Sequence, residues 1–385
     1  MVELPWGNKT VEQLREEFAR KAQAGSNFSG LCREYGITRR TGYEWRRRVE
    51  NGETLSDRSH APHNAPGKTP PEMEAKVLKV REEHPAWGGK KIRKVLENQG
   101  VEGLPCVKTC NNILKRNGCI SEEASQKSKP VQRFEREKCN ELWQTDFKGD
   151  FALTGGGRCF PLTILDDHSR FLLAEIAKPG TGGVIESFRG VFEEFGVPYS
   201  VLSDNGTTFR GYHGGFAQFE RWLMEHDVLP IHGRIRHPQT QGKVERLHGT
   251  MEAELLAGKE FSDLRQAQSA LDPWRQDYNF LRPHEALDMR RPGEVYVKSE
   301  RPYADAVQEF QYSGEHRVVK VNSWGYVRFA HFQVYLSETF ANQFLEFRAN
   351  PLGGSPSWIA CFRNFRIAQF DTQTGKLLNR SIWRL

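Results

Sequence analysis

The first 50 residues of the chain place apolar side chains three or four positions apart, in runs separated by glycine. This pattern predicts three short helices over 10–24, 28–35 and 39–49, with turns at Gly25 and Gly36. Residues on one broad side of the third helix are basic or aromatic: Arg39, Arg40, Tyr43, Arg46 and Arg47. A helix, a tight turn and a basic helix form the layout of a helix-turn-helix motif, whereas a merely solvated basic helix would leave the turn unexplained.

The same arrangement follows a proline-rich stretch at 61–71. Helices are predicted over 70–83, 88–99 and 105–117. The third of them carries polar and basic residues: Lys108, Thr109, Asn112, Lys115 and Arg116. We therefore expect two tandem helix-turn-helix domains, over 1–60 and 61–120, with the named side chains of both third helices, except Arg116, contacting DNA. The polar, aperiodic stretch 121–136 is predicted to be a linker.

From residue 140 the pattern changes to strands alternating with helices, which predicts an α/β domain with a mixed sheet over 137–300. The predicted elements are strands over 141–151, 160–165 and 171–176, a helix over 184–195, a strand over 199–203, a helix over 216–227, a strand over 229–235 and a helix over 239–256. Short strands with alternating aromatic residues follow, over 317–321, 325–336, 344–348, 358–366 and 367–370. They predict a small all-β domain of the SH3-like barrel type over 301–385.

Charge is distributed unevenly over these regions. The 385 residues carry a net charge of +6, which divides into +7 for 1–135, −5 for 136–300 and +4 for 301–385. Basic flanks around an acidic centre suit a polyanion held at both ends, although ordinary surface variation is an equal alternative on charge alone. No apolar run is long enough to cross a membrane and the N-terminus lacks a signal-peptide pattern, so we expect a cytoplasmic protein.

The seven cysteines indicate neither a disulfide framework nor a zinc site. Cys106, Cys110 and Cys119 form the one local group, but neither a CxxC pair nor a nearby HxxxH accompanies them. We expect small, buried helix residues rather than metal ligands at these positions.

Three acidic residues of the α/β domain stand out by position. Asp146 lies within the first strand, where a central sheet strand favours an apolar residue. Asp204 ends a short strand and precedes the turn Asn205-Gly206, while Glu245 lies on the polar side of the helix predicted over 239–256. Taken singly, Asp204 could simply open the turn and Glu245 could be a solvated helix residue.

Taken together, two strand positions and one helix position converge only at a sheet edge. Three convergent carboxylates repel one another unless divalent cations lie between them. Hard oxygen ligands suit Mg²⁺ or Mn²⁺, and two such ions hold the attacking and leaving oxygens of a phosphoryl displacement. The sequence therefore favours cleavage or transfer of nucleic-acid strands.

Three motifs carry a resemblance to a known family: WQTDF at 143–147, SDNG at 203–206 and HPQTQGKVER at 237–246. They resemble the signature segments of the DDE insertion-sequence transposases, which share the catalytic core of retroviral integrases. LDDHSR at 165–170 resembles that family's second strand, and the segment 278–292 its post-catalytic helix and exit. The resemblance covers the chain from about residue 10 to 300.

This resemblance implies an RNase H-like core in which Asp146, Asp204 and Glu245 are both the catalytic residues and the ligands of two Mg²⁺ ions, with Mn²⁺ as a substitute. It implies binding of transposon ends and target as double-stranded DNA, strand cleavage and strand transfer, a homodimer or larger assembly on DNA, and a bacterial, nucleoid-associated location. Lys243 and Arg246 would contact phosphates near the scissile bond. The spacing departs slightly from the pattern, because 40 residues separate Asp204 from Glu245 where about 35 are typical.

Other residues and functions compete with this interpretation. Asp150 is too far along the strand to replace Asp146, and Asp166 and Asp167 are expected to be structural. His237 and His248 could assist proton transfer or contact DNA, although a structural role is favoured. A catalytically silent, transposase-derived DNA-binding regulator is the alternative function, and a plain metal nuclease is a second rival that leaves the two helix-turn-helix domains unexplained.

Overall fold

The computed structural model describes residues 10–57, 69–120, 135–211, 215–233, 242–329, 332–350 and 357–385. The chain divides into two compact units, Met1–Lys68 and Thr69–Leu385. The second unit contains three parts, which we name the second helical module, the core and the β domain. None of the helices in the described ranges combines the length and apolarity that a membrane span requires.

The first unit contains the first helical module, formed by α1 (Val11–Gln23), α2 (Phe28–Glu34) and α3 (Arg39–Glu50). The predicted helices are thus confirmed, and Thr38 caps α3 by accepting a hydrogen bond from the backbone of Thr41. The module is organised around Phe18, whose ring is fully buried.

The second helical module consists of α4 (Pro71–Glu83), α5 (Gly89–Asn98) and α6 (Val107–Arg116), again as predicted. Its core gathers apolar residues of all three helices around Trp87. A Cβ atom on Gly89 would lie 2.6 Å from the Asn111 side chain, so only glycine allows α5 and α6 to approach this closely.

The core is built on a mixed sheet. Its strands are β1 (Trp143–Phe147), β2 (Phe151–Ala152), β3 (Arg158–Asp166), β4 (Leu172–Lys178), β5 (Ser200–Ser203) and β6 (Leu229–His232). The order β4-β3-β1-β5-β6 joins an antiparallel half, β4 to β1, to a parallel half, β1 to β6, while the short β2 pairs with the start of β3. The strand predicted over 141–151 is thus divided into β1 and β2, because the backbone turns at Gly149 with a φ of +98°.

Helices cover both faces of this sheet. They are α7 (Val184–Phe195), α8 (Gln218–Glu225), α9 (Gly242–Met251) and α10 (Leu264–Gln276), followed by the short α11 (Pro292–Val295). Aromatic residues of α7 and α8 pack on one face, and apolar residues of α9 and α10 pack on the other. The helix predicted over 239–256 is described from Gly242 and reaches Leu256 as predicted, with its last turn, Glu252–Leu256, in π geometry. A second π-turn, Asp277–Leu281, follows α10.

The β domain contains β7 (Arg317–Lys320), β8 (Tyr326–Phe329), β9 (Phe332–Tyr335), β10 (Phe344–Asn350), β11 (Ser357–Phe362), β12 (Phe365–Asp371) and β13 (Leu377–Arg384). Five of these strands form an antiparallel sheet in the order β13-β12-β11-β10-β7, and β8 pairs with β9. The all-β prediction is confirmed, whereas closure into an SH3-like barrel stays a prediction.

Two strand assignments in the β domain were wrong. The single strand expected over 325–336 is the hairpin β8–β9, in which Val327 and Val334 face each other and are buried. The strand β13 was not predicted at all, because its burial is low and gives no clear alternation.

Candidate active site

Asp146 lies on the central strand of the core sheet. The residues before it in β1, Trp143 to Thr145, are buried, and Asp146 itself is half-buried and lies opposite Thr163 of β3. Trp143 packs among the residues of α7 and α8, so the alternation of the strand turns the Asp146 carboxylate to the opposite side of the sheet, which α9 covers.

Asp204 follows β5, the parallel neighbour of β1. The ladder pairs Trp143 with Val201 and Gln144 with Leu202, and continuing this register by two residues puts Asp204 beside Asp146. Neighbouring strands lie about 4.8 Å apart, so the topology brings the two carboxylates together.

The turn after Asp204 is fixed locally. The backbone N–H of Gly206 donates to the Asp204 carboxylate at 2.9 Å, and a Cβ atom on Gly206 would meet that same oxygen at 2.9 Å. The buried ring of Phe209 then packs against Phe147 of β1, with ring centroids 5.8 Å apart. These contacts hold the loop against the strand that carries Asp146.

Glu245 lies on the exposed side of α9, whose opposite side buries Val244, Leu247 and Met251. One turn further on, His248 Nε2 lies 2.8 Å from Thr163 Oγ1, and this hydroxyl donates to the Asp146 carbonyl at 3.1 Å. The helix of Glu245 is therefore anchored at the strand position of Asp146.

His248 has a structural contact, in agreement with the role that the sequence favours for it. Burial, together with the nearby Lys148 charge, lowers the pKa of His248 to about 4, so the ring is neutral at pH 7. Lys148 in turn forms an ion pair with Glu252 at 2.5 Å, a second link between β1 and the end of α9. His237 lies outside the described residues.

The negative charges of Asp204 and Glu245 act on the Asp146 carboxylate. Burial, the negative charge of Asp204 and that of Glu245 together raise the pKa of Asp146 to about 7. Within the described ranges, however, no three His, Cys, Asp or Glu side chains are close enough to hold a metal ion. The described carboxylates thus repel one another and do not form a compact three-residue cluster.

The competing acidic residues have other partners. Asp166 and Asp167 are fully buried, and Asp166 accepts hydrogen bonds from the backbone of Asn140 and from Ser169. Asp167 accepts from Gln144 and forms an ion pair of 2.6 Å with Lys243. Both act as structural residues, as expected.

This ion pair changes the expectation for Lys243. Its side chain is 15% exposed and its ammonium is neutralised by Asp167, so a phosphate contact would require breaking a buried pair. Arg246, three residues further along α9, is exposed. Asp150 lies away from the site in an ion pair with Arg158.

The predicted DNA-binding residues of the two helical modules differ in exposure. In the first module, Arg39, Arg40, Tyr43 and Arg47 are exposed, and Tyr43 stacks on Phe28. Arg46 is half-buried and pairs with Glu50 along the same helix at 2.8 Å. In the second module, Lys108, Asn112 and Lys115 are exposed, and Thr109 is half-buried.

Three residues that the sequence does not indicate lie beside the Asp204 loop. Glu220 of α8 and His232 of β6 are hydrogen-bonded at 2.9 Å, and His232 Nδ1 lies 3.4 Å from the Asp204 carbonyl oxygen. Arg380 of β13 forms an ion pair with the same glutamate at 3.6 Å. No local pattern joins these three residues, although an ionisable residue within the apolar face of α8 was a usable signal.

Comparison with known proteins assigns the two main regions. Integrase core domain profiles match residues 136–238 and 226–292, and a homeodomain-like domain profile matches residues 41–114. The homeodomain-like match runs from α3 of the first helical module to α6 of the second.

Bacterial insertion elements encode similar proteins. The chain is 26% identical over 247 residues to the uncharacterized 31.7 kDa protein of insertion element IS407 from Burkholderia multivorans, a match covering 62% of this chain and 85% of the relative. It is 28% identical over 157 residues to the uncharacterized 39.2 kDa protein of insertion element IS476 from Xanthomonas euvesicatoria, covering 40% and 44% of the two chains.

Among solved structures, a chain of the simian T-cell lymphotropic virus intasome in complex with PP2A regulatory subunit B56 gamma aligns with 13% identity and a TM-score of 0.37. The alignment covers 80% of this chain and 98% of that one, but so low a score does not establish a shared fold. The profile matches and the insertion-element relatives carry the assignment instead: the chain contains an integrase-type core of the RNase H-like class, preceded by a homeodomain-like region.

Proposed function

We propose that this protein is the DDE transposase of a bacterial insertion sequence, which binds the ends of its element and performs Mg²⁺-dependent strand cleavage and strand transfer. The observation that supports this most directly is the placement of Asp146, Asp204 and Glu245. The parallel register of β1 and β5, continued by two residues, brings Asp204 beside Asp146. The charges of Asp204 and Glu245 both raise the pKa of Asp146. The integrase core profiles and the insertion-element relatives favour the same conclusion.

The residues present fit a divalent metal by the chemistry of their donors. All three candidate ligands are carboxylates, which are the hard oxygen donors that Mg²⁺ and Mn²⁺ prefer. Burial and like charge disfavour the ionised form of Asp146 in the metal-free protein, and a bound cation would remove that cost. When bound, two such ions supply an activated nucleophile and neutralise charge on the reacting phosphate.

The chain's own residues then do the positioning. Asp146 and Asp204 are held by adjacent strands, and α9 is anchored beside them through His248 and Thr163. In the proposed reaction, water breaks a phosphodiester at the transposon end and leaves a free 3′-OH. This hydroxyl attacks a phosphodiester of the target, displacing a target 3′-oxygen, and no covalent bond to the enzyme forms.

DNA binding is proposed for the basic and polar residues of the two third helices and for one residue of the catalytic helix. In the first helical module they are Arg39, Arg40, Tyr43, Arg46 and Arg47; in the second they are Lys108, Thr109, Asn112 and Lys115; on α9 it is Arg246. Lys243 is a weaker candidate for a DNA contact than these residues, because its ammonium already pairs with Asp167. Since two element ends must be brought together, we propose a homodimer or larger assembly on DNA. An SH3-like barrel, as a further DNA-binding or assembly module, remains part of this proposal for the β domain.

The experiment that tests the function uses the purified full chain and duplexes carrying the terminal repeats found beside its gene. With Mg²⁺ or Mn²⁺ the wild-type protein is expected to nick the repeats. Asp146→Asn, Asp204→Asn and Glu245→Gln are each expected to abolish nicking and leave duplex binding intact, because each removes one charged ligand without removing a helix-turn-helix contact.

The matched control is Asp150→Asn, which changes an acidic residue just beyond the same strand whose partner is Arg158. This variant is expected to nick at the wild-type rate. Full activity of any of the three triad variants would remove that residue from the metal site. Binding of the repeats without nicking by the wild type, in either metal, would favour the DNA-binding regulator instead.

A further inference from the structure

The β domain is not a separate appendage, because its hydrophobic core contains residues of α8. Phe216, just before α8, and Met224 within it are buried among residues such as Phe340 and Phe362 of the β domain. The rings of Phe216 and Phe340 are in edge contact at 5.0 Å. Whatever moves the β domain therefore acts on α8.

Arg380 of β13 connects this apolar contact to a buried carboxylate, that of Glu220. The Arg380 guanidinium carbon lies 3.6 Å from the centre of the Phe216 ring, and its Nη2 atom lies 3.6 Å from Glu220 Oε2. The arginine side chain is 13% exposed and that of the glutamate 2% exposed. Burial lowers the pKa of Arg380 to about 10, against the opposing effect of Glu220. A buried carboxylate of this kind requires cationic and hydrogen-bonding partners.

Glu220 contacts two residues in the later part of the loop that begins at Asp204. Its Oε2 atom accepts from the backbone N–H groups of Gly211, at 3.2 Å, and of Ala217, at 2.6 Å. Its Oε1 atom accepts from His232 Nε2 at 2.9 Å. The other ring nitrogen of His232 lies 3.2 Å from Ser203 Oγ and 3.4 Å from the Asp204 carbonyl oxygen.

A second set of bonds ties the same loop to β6. The Asn205 side chain donates to the Gly233 carbonyl at 2.8 Å and accepts from Arg210 at 2.5 Å. The loop between β5 and α8 thus rests on the end of β6 and on Glu220. Both supports contact the β domain, β6 through Leu229 and Glu220 through Arg380, and only the contact of Arg380 adds an opposite charge to the Glu220 carboxylate among these described contacts.

We propose that the β domain positions Asp204, through the continuous contact of Arg380 with Glu220, of Glu220 with His232 and Gly211, and of His232 with the Asp204 backbone. Arg380, Glu220 and His232 are positioning residues, since they contact the loop rather than the reacting groups. The inference rests on the proposed function for the role of Asp204 as a ligand, but the mechanical link itself concerns the metal-free protein. Loss of a supporting contact behind a metal ligand typically costs about 10-fold to 100-fold in metal affinity or activity.

The test compares Arg380→Met and Glu220→Gln with a control at the same interface. Arg384 of β13 pairs with Asp227 at 2.8 Å, beyond the far end of α8 and away from the Asp204 loop. Arg384→Met therefore weakens docking of the β domain without touching the proposed link. Arg380→Lys keeps the charge and serves as the conservative variant if Arg380→Met does not fold.

The first measurement is backbone hydrogen exchange of the full, metal-free chain, followed in peptides covering the loop after Asp204. Arg380→Met and Glu220→Gln are expected to raise exchange there by about 10-fold or more, while Arg384→Met leaves it unchanged and Arg380→Lys lies between. The second measurement is Mn²⁺ affinity, expected to fall about 10-fold to 100-fold in the first two variants only.

The outcomes separate this proposal from the proposed function. Wild-type exchange and Mn²⁺ affinity in Arg380→Met and Glu220→Gln would overturn the positioning role even if the wild type nicks DNA. The same loosening in Arg384→Met would also overturn it, because the effect would then be general undocking. If the wild type neither binds Mn²⁺ nor nicks DNA, the proposed function fails, and the exchange measurement still decides whether Arg380 holds the loop.

Discussion

In the first helical module the central aromatic ring is enclosed by other rings of the same module, whereas the central tryptophan of the second helical module bonds to the core. Phe18 makes edge contacts of 5.5 to 6.0 Å with Phe28, Tyr35 and Trp45. Trp87 stacks on His84, and its indole N–H donates to Glu254 at 3.0 Å. Two modules with the same sequence layout are thus stabilised differently.

The contrast extends to the charged residues. In the first module the buried Arg48 donates to the carbonyls of Thr54 and Ser56, so its charge closes a local loop. In the second module Lys91 lies near Glu254, and Glu254 also accepts from Arg282 at 2.9 Å. Arg48 thus stabilises its own module, whereas Lys91 lies at an interface between the second module and the core.

The apolar contacts follow the same division. Leu281, in the π-turn after α10, packs on the apolar core of the second module, and Glu254 lies in the π-turn after α9. Both π-turns of the core therefore contribute to this interface. A helix-turn-helix pattern thus predicts the helices of the second module but not its contact with the core.

The sharpest way to test the self-contained character of the first module is Phe18→Ala. The ring is fully buried, and removing such a ring costs about 3–5 kcal/mol, as much as a module of this size can supply. We expect α1 to α3 to lose exchange protection completely, while the unit from Thr69 onward keeps its wild-type protection and melting temperature. Loss of protection in the second unit as well would show that the two units do not fold independently.

Glu254→Ala, which removes a contact between the second module and the core, is expected to destabilise the larger unit without unfolding it. The variant leaves Trp87 and Arg282 without their shared acceptor, and breaking such a buried charged contact costs about 3–5 kcal/mol. Urea denaturation should show this loss in the second unit, with α4 to α6 losing exchange protection first and α1 to α3 unaffected. Glu254→Gln keeps an acceptor for the indole and should lose much less. Equal losses in both variants would show that packing rather than charge holds the interface.

The sequence predicted the local elements well wherever one face of an element is apolar. The helix expected over 184–195 is α7 with those bounds, because its buried residues recur at helical spacing. All six N-terminal helices were located for the same reason. In contrast, β13 buries little of its surface and was missed. Hydrophobic periodicity therefore predicts elements that bury one face and does not detect elements that bury little of their surface.

The candidate site was only partly predictable. Motif resemblance located Asp146, Asp204 and Glu245 in the sequence, and the strand order was needed to set Asp204 beside Asp146. The resemblance implies a DNA contact for Lys243, and no local pattern reveals its buried partner, Asp167, which lies 76 residues away. The link from Glu220 to Arg380 spans an even longer separation between the core and the β domain. Such contacts depend on tertiary structure and leave no local trace.

The mildest test of the comparison is Lys91→Met, because it removes an unfavourable group. Burial and the Arg282 charge lower the pKa of Lys91 from 10.5 to about 8, so the charged form destabilises the folded state. Since the folded pKa is below the ordinary value, this destabilisation is complete below pH 8 and disappears as the pH rises toward 10.5. Lys91→Met should therefore stabilise the second unit by about 1 kcal/mol at pH 7, measured by urea denaturation, and by less at pH 10.

Lys90→Met is the matched control, because that neighbouring lysine is 52% exposed and pairs with an exposed Glu285. We expect its stability to change by no more than about 0.5 kcal/mol. A loss of stability in Lys91→Met at pH 7 would mean that the contact of Lys91 with Glu254 outweighs the cost of burying the lysine. Lys91 would then stabilise the interface together with Trp87, Arg282 and Glu254.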